Sequence, residues 1–163
     1  MLPLLQENWQ DCPHPARLLA VDQGDKTLGL AICDSRQTIA TPLDVIQRSK
    51  TKGKFNKDRE ALEHHIKDYD IKGLIFGYPM NMDGTSGPRC QSVRDTITAL
   101  QQHKPFDSLW FGLWDERFST TVMQRFLVQE VDMNRKRRGE IIDKMAAQHI
   151  LQGALDFMIE RRK

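Results

Sequence analysis

Two short apolar runs, Leu18-Leu-Ala-Val21 and Leu28-Gly-Leu-Ala-Ile-Cys33, are separated by a polar stretch centred on Gly24-Asp25. Runs of that length bounded by turn residues predict β-strands over 17–22 and 27–33, joined as a hairpin. A further turn at Asp34-Ser-Arg36 leads into Thr38–Ile46, a third strand. Pro42 has no N–H to give to a ladder, so this strand belongs at a sheet edge. The first third of the chain therefore predicts a three-stranded antiparallel meander.

Beyond it the period changes. From Asp58 the positions Leu62, Ile66 and Tyr69 recur at helical spacing, with His64, His65 and Lys67 on other faces. Lys72–Phe76 is a buried-type strand, and Tyr78–Gly87 is a loop rich in Gly, Pro, Asn and Asp. A helix is expected from about Ser86 to Gln102, a strand over Asp107–Trp114, and a helix capped by Ser119 or Thr120 running through Val131. The last helix is expected from near Arg138 to about Glu160. Strands that alternate with helices imply crossover connections and parallel pairing. The predicted α/β architecture is a mixed five-stranded sheet, three antiparallel strands then two parallel ones, flanked by helices, which is the element order of a ribonuclease H-like fold. Residues 1–16, with Pro3, Pro13 and Pro15 and no sustained period, read as an N-terminal leader outside the core, and residues 17–163 as a single domain.

With 163 residues, 39% of them hydrophobic, the chain suffices for one core and is short for two catalytic domains. Charged residues make up 28%, yet 24 Lys+Arg against 22 Asp+Glu leave a net charge of only +2, so any basic surface must be local. No apolar stretch approaches the roughly 18 to 20 residues that span a bilayer, and no signal-like segment opens the chain, so a soluble, cytoplasmic protein is expected. Cys12, Cys33 and Cys90 are odd in number and far apart, which fits reduced thiols rather than a disulfide framework or a zinc site.

The candidate chemistry is acidic. Asp22 ends the first strand where the chain turns, and Asp115 and Glu116 end another after an apolar run. Each alone reads equally as an ordinary solvated turn acid. Asp143 differs, because Ala146, Ala147, Ile150, Ala154 and Phe157 follow it at helical intervals and place it on the core-facing stripe. The competing reading is an acid that complements a helix N-terminus. Clustered carboxylates repel one another unless a cation joins them, and hard oxygen donors select Mg²⁺ or Mn²⁺. Two such ions promote phosphodiester hydrolysis. Arg48, Lys50, Lys52, Lys54 and Lys57 form one basic stretch, and Arg135-Lys136-Arg137-Arg138 form another just before Asp143. Either is a phosphate-gripping surface or merely a solvated face. The loop ending at Gly87 precedes a helix whose free N–H groups would hold an anion, with Thr85 or Ser86 capping the helix as the plainer alternative. The five histidines lack ligand spacing, and Ser119, Thr120 and Thr121 have no base near them in sequence.

Four segments taken in order carry a resemblance: Val21-Asp-Gln-Gly-Asp-Lys-Thr-Leu-Gly-Leu-Ala, Gly77-Tyr-Pro-Met-Asn-Met-Asp-Gly-Thr-Ser-Gly, Asp115-Glu-Arg-Phe-Ser-Thr-Thr and Ile142-Asp-Lys-Met-Ala-Ala-Gln-His-Ile-Leu-Gln. Together they resemble the YqgF family, also called RuvX or Holliday junction resolvase-like, whose members are regarded as nucleases that mature 16S ribosomal RNA precursors. The resemblance spans about residues 17–157. It implies a ribonuclease H-like fold, a two-metal Mg²⁺ or Mn²⁺ site, and catalytic acids at Asp22, Glu116 and Asp143. Asp115 stands beside Glu116 as a possible fourth metal ligand, with Glu116 preferred. The nucleic-acid contacts expected from the basic residues themselves are Lys26, Lys50, Lys52, Lys54, Arg117, Arg135, Lys136, Arg137 and Arg138, and the partner that the resemblance implies is a ribosomal RNA precursor or a branched DNA. A monomer or weak homodimer is expected. Thr27 stands where the family usually has Arg, and Asp25 where it has a small neutral or hydroxyl residue. Rival readings are junction resolution, a non-catalytic RNA-binding module, and an actin-like nucleotide site built on Asp22-Gln-Gly24, although that last fold needs two such domains.

Overall fold

The computed structural model describes residues 2–48, 55–118 and 135–163. A short helix α1 (Leu5–Asn8) precedes the hairpin of β1 (Arg17–Gln23) and β2 (Thr27–Cys33), and β3 (Ala40–Gln47) completes the meander. Then follow α2 (Phe55–Asp68), β4 (Ile71–Tyr78), α3 (Pro88–Leu100), β5 (Trp110–Asp115) and a long terminal helix α4 (Arg135–Arg162). The five strands lie in the order β3-β2-β1-β4-β5. The β1/β2 and β2/β3 pairs are antiparallel, and the β1/β4 and β4/β5 pairs are parallel. This is the mixed sheet that the element order predicts.

Boundaries move for identifiable reasons. The third strand starts late because the Asp34 carboxylate takes the N–H groups of Thr38 and Ile39 at 2.7 and 3.0 Å, closing a turn over those residues. β3 is an edge strand, as Pro42 requires, and the β2/β3 register shifts between Leu30 and Ala31, the latter pairing with Pro42. The fifth strand begins at Trp110, after a 3-10 turn over Phe106–Ser108. The helix expected through Val131 lies outside the described residues.

Side-chain alternation sends the strand residues into two cores. Leu19, Val21, Leu74, Phe76, Phe111 and Leu113 meet α2 and α3 through Leu62, Ile66, Val93, Ile97 and Leu100. Leu18, Ala20, Ala31, Ile75 and Trp114 meet α4 through Ala147, Ile150, Leu151, Ala154 and Met158. The reading of residues 1–16 as lying outside the core is corrected here. Leu5 is fully buried in the second core and Cys12 packs with it. Leu4 bridges Leu113 in parallel, and Asn8 Nδ2 donates to the Phe111 carbonyl at 3.3 Å. A segment with no period of its own is thus ordered by the edge of β5. Among the described residues, no helix is long and apolar enough to cross a membrane.

Candidate active site

Asp22 sits near the end of β1 and shares the α4 side of the sheet with Ala20. Its cross-strand partner in β2 is Gly29. On the other side the β1/β4 register pairs Val21 with Phe76, so Gly77 follows level with Asp22. Glycines therefore flank Asp22, and both are glycine because something else takes the space above them. A Cβ on Gly29 would strike the main chain of Asp143, and one on Gly77 would strike Glu116 Oε1 and approach Ile150 Cδ1. The two gaps in the sheet surface thus bring the Asp143 turn of α4 and the Glu116 carboxylate to either side of Asp22. These three acids come from chain positions 22, 116 and 143 and meet at the ends of β1, β5 and one turn of α4.

Their electrostatics bear the mark of that placement. Burial, reinforced by the charge of Asp143 and partly offset by Arg89, pushes the Asp22 carboxyl up to about 6. Burial and then the charge of Asp22 push Glu116 up to about 7, with Arg89 again opposing and Asp115 adding to the rise. Asp22 thus links the other two acids, raised by the charge of Asp143 and itself raising Glu116. The Asp143 carboxylate accepts a hydrogen bond from Thr27 Oγ1 at 2.8 Å. Because α4 begins at Arg135, Asp143 stands beyond the first turn, and complementing the helix dipole does not account for it.

Asp115 stands apart from this group. As the last residue of β5 it shares the face of Phe111 and Leu113, pairs with Tyr78 and is only 1% exposed, whereas Glu116 opens a 3-10 turn over 116–118 and reaches over Gly77. Its carboxylate takes the Arg117 side chain through Nε at 2.8 Å and Nη2 at 2.6 Å, and the Arg117 N–H at 3.0 Å. Arg117, counted by resemblance among the nucleic-acid contacts, is therefore engaged with Asp115, and Asp115, counted among the metal ligands, is engaged with Arg117. Lys26 is exposed on the β1/β2 turn. Arg48 holds that turn, with Nη1 on the Gly24 carbonyl at 2.6 Å and its N–H on the Lys26 carbonyl at 2.8 Å. Lys50, Lys52 and Lys54 fall outside the described residues, as do Ser119, Thr120 and Thr121. Arg135, Lys136, Arg137 and Arg138 form the first turn of α4, described in backbone only.

The loop after β4 is closed on itself. The N–H of Asn81 meets the Thr85 carbonyl at 2.9 Å, Thr85 Oγ1 donates to Asp83 Oδ1 at 2.6 Å, and Gly84 takes a φ of +88° that a side chain would disfavour. Thr85 and Ser86 do not cap α3. Gly87 is the N-cap, without a side-chain bond, and Pro88 opens the helix. Two site residues have no signal in the acid pattern. Arg89, in the first turn of α3, sets its charge against Asp22 and Glu116, and the Gln23–Ser92 bond of 3.1 Å ties that helix to the end of β1. Thr27 is legible only as a departure from the family's usual Arg, and its hydroxyl serves Asp143.

The donors fit a hard divalent cation: carboxylate oxygens, two of them on groups whose burial and mutual repulsion a cation would relieve. Among the described residues, no group of three or more His, Cys, Asp and Glu side chains is placed so that it could hold a metal ion as the side chains stand. The fold and the acid cluster define a ribonuclease H-like protein with a carboxylate site at the strand ends. A family model described as RuvX, Holliday junction resolvase, matches residues 16–157, and the chain belongs to that family. It is 44% identical over 154 residues to a protein of Rhodospirillum centenum named "Putative pre-16S rRNA nuclease", covering 93% of this chain and 79% of that one. A protein of the same name from Caulobacter vibrioides strain NA1000 is 43% identical over 157 residues, covering 95% and 97%. Among solved structures, T. thermophilus RuvC in complex with a Holliday junction substrate shares the fold, with a TM-score of 0.52 at 9% identity over 88% of this chain and 96% of that one.

Proposed function

We propose that the protein is a divalent-metal-dependent nuclease of the cytoplasm that hydrolyses phosphodiester bonds in a 16S ribosomal RNA precursor. The observation that carries this reading is the approach of Asp22, Glu116 and Asp143 across two glycines, with Asp22 raised by burial and the charge of Asp143, and Glu116 raised by burial and the charge of Asp22. The names of the relatives supply the substrate class. Asp22, Glu116 and Asp143 would hold one or two Mg²⁺ or Mn²⁺ ions. Such ions supply Lewis acidity toward the phosphoryl oxygen and an activated water. Thr27 Oγ1 orients the Asp143 carboxylate, and Arg89 opposes the accumulated negative charge where a phosphate must enter. A bound cation would offset the burial and the Asp22 charge that raise Glu116, and so would hold its carboxylate ionised. Asp115 and Arg117 are engaged with each other on either side of Glu116 in the chain.

The family description favours a second reading, cleavage of four-way DNA junctions. One experiment separates the two. Purified protein and its Asp22→Asn variant are incubated with precursor RNA, single-stranded DNA and four-way junctions, each with Mg²⁺, Mn²⁺ or EDTA. Metal-dependent cleavage of RNA that the variant lacks supports the first reading, and junction cleavage alone supports the second. Binding without cleavage on every substrate would overturn both in favour of a non-catalytic RNA-binding module.

A further inference from the structure

Arg94 lies on α3, two turns from the loop over 79–87, yet it joins the N-terminal segment to Tyr78, where β4 leads into that loop. Its Nη1 donates to the Leu2 carbonyl at 3.0 Å and its Nε to the Tyr78 hydroxyl at 2.7 Å. The guanidinium carbon stands 4.9 Å from the centre of the Tyr78 ring. Tyr78 is almost fully buried at the end of β4, so its hydroxyl needs partners, and Arg94 and Ser86 Oγ at 3.4 Å are the two it has. Ser86 belongs to the loop. At the loop's other side, Arg117 Nη1 lies 3.5 Å from where a Cβ on Gly84 would sit, next to the Asp115-Glu116 strand end. A continuous path runs from the backbone of Leu2 through Arg94, Tyr78 and Ser86 to the loop beside Glu116.

We infer that Arg94 is a positioning residue, and that residues before β1 hold the loop over 79–87 in place for a nucleic-acid strand through it. The segment does two jobs at one edge. Leu4 and Asn8 cover the outer side of β5, while Leu2 ends on Arg94. The planar guanidinium suits the task because Nε and Nη1 point to two acceptors at once, which a lysine ammonium on a flexible stem does not reproduce. The substrate part of the inference rests on the nuclease reading above. The structural part does not.

The test uses the full chain and reads amide hydrogen exchange at Asn81, Gly84 and Thr85, whose N–H groups are bonded within the loop. Removing a hydrogen bond from a charged donor is expected to raise exchange there about tenfold to a hundredfold in Arg94→Ala, with the β2/β3 amides unchanged. Tyr78→Phe keeps the ring and should give the same change. Combined with Arg94→Ala it should add little more, because both act on one path. Arg94→Lys should restore only part of the protection, and deleting Met1–Pro3 should loosen the loop without unfolding the sheet. With a single-stranded RNA and Mn²⁺, the Arg94 variants should raise KM about threefold to tenfold and change kcat less than about twofold, as a less populated binding-competent loop requires. Loop exchange within about twofold of the parent in Arg94→Ala and Tyr78→Phe would overturn the inference. A deletion that leaves the loop unchanged while Arg94→Ala loosens it would overturn the role of the N-terminal segment. If the parent cleaves no RNA, the exchange result still decides the positioning role, and the nuclease reading is what falls.

Discussion

The Glu116 carboxyl is held near 7 and that of Asp22 near 6, against ordinary values of 4.5 and 3.8. A carboxyl raised on folding favours the folded state at low pH, where both states bind the proton, and that advantage is lost as pH rises through the folded value. In EDTA the melting temperature should therefore fall between about pH 4 and pH 7 and level off above that, with a total loss on the order of a few kcal/mol. Metal competes with the same protons, so added Mn²⁺ should recover more stability at pH 8 than at pH 5, measured by thermal unfolding at each pH. A metal-free protein equally stable across that range would show that folding does not raise the Asp22 and Glu116 carboxyls. Asp143→Asn keeps the shape and an acceptor for Thr27 while it removes one charge from beside Asp22. It should abolish cleavage and leave stability in EDTA equal or higher. Lower stability with normal cleavage would make Asp143 a structural acid. At this scale the three acids of the proposed site were legible as candidates, because Asp22 and Glu116 end apolar runs and Asp143 lies on a helical stripe. Arg89 was not, since one arginine among many carries no mark in sequence and acquires its role only from the Gln23–Ser92 contact that brings α3 to β1.

Among the elements, the meander, the crossover helices and the parallel pair follow from periodicity, because a strand buried on both faces and a one-sided helix leave different apolar patterns. The N-terminal segment leaves no pattern, since its order comes from one edge of β5 rather than from its own repeat. Its anchor is Leu5, fully buried between β5 and α4 and within 3.2 Å of where a Cβ on Gly112 would sit. Leu5→Ala should cost about 2 to 5 kcal/mol in urea unfolding, the usual range for a buried leucine that leaves a cavity. A loss below about 0.5 kcal/mol, normal for an exposed site, would return the segment to the role of a loose leader.

For the molecule as a whole, a net charge of +2 leaves no general attraction for a polyanion, so affinity must come from local groups. Neutralising Arg135, Lys136, Arg137 and Arg138 together should weaken RNA binding and flatten its dependence on salt by about 0.7 per lost phosphate contact on a single strand. Binding titrations between low and moderate salt measure this directly. An unchanged slope would move the substrate to the stretch over 48–57. What the chain determined without its fold was every property that depends on neighbours in sequence: strand and helix type, the edge position of β3 through Pro42, the absence of a membrane-length apolar run, and the acids at element ends. The tertiary structure alone decided what depends on distance through space. It set the Glu116 carboxylate over Gly77 and Asp115 against Arg117, and placed Gly29 and Gly77 where α4 and Glu116 needed room. It also drew the first residues into the core. The physical reason is the same in each case: alternation and periodicity say which face a side chain takes, while only the sheet order and the seating of α4 say what waits on that face.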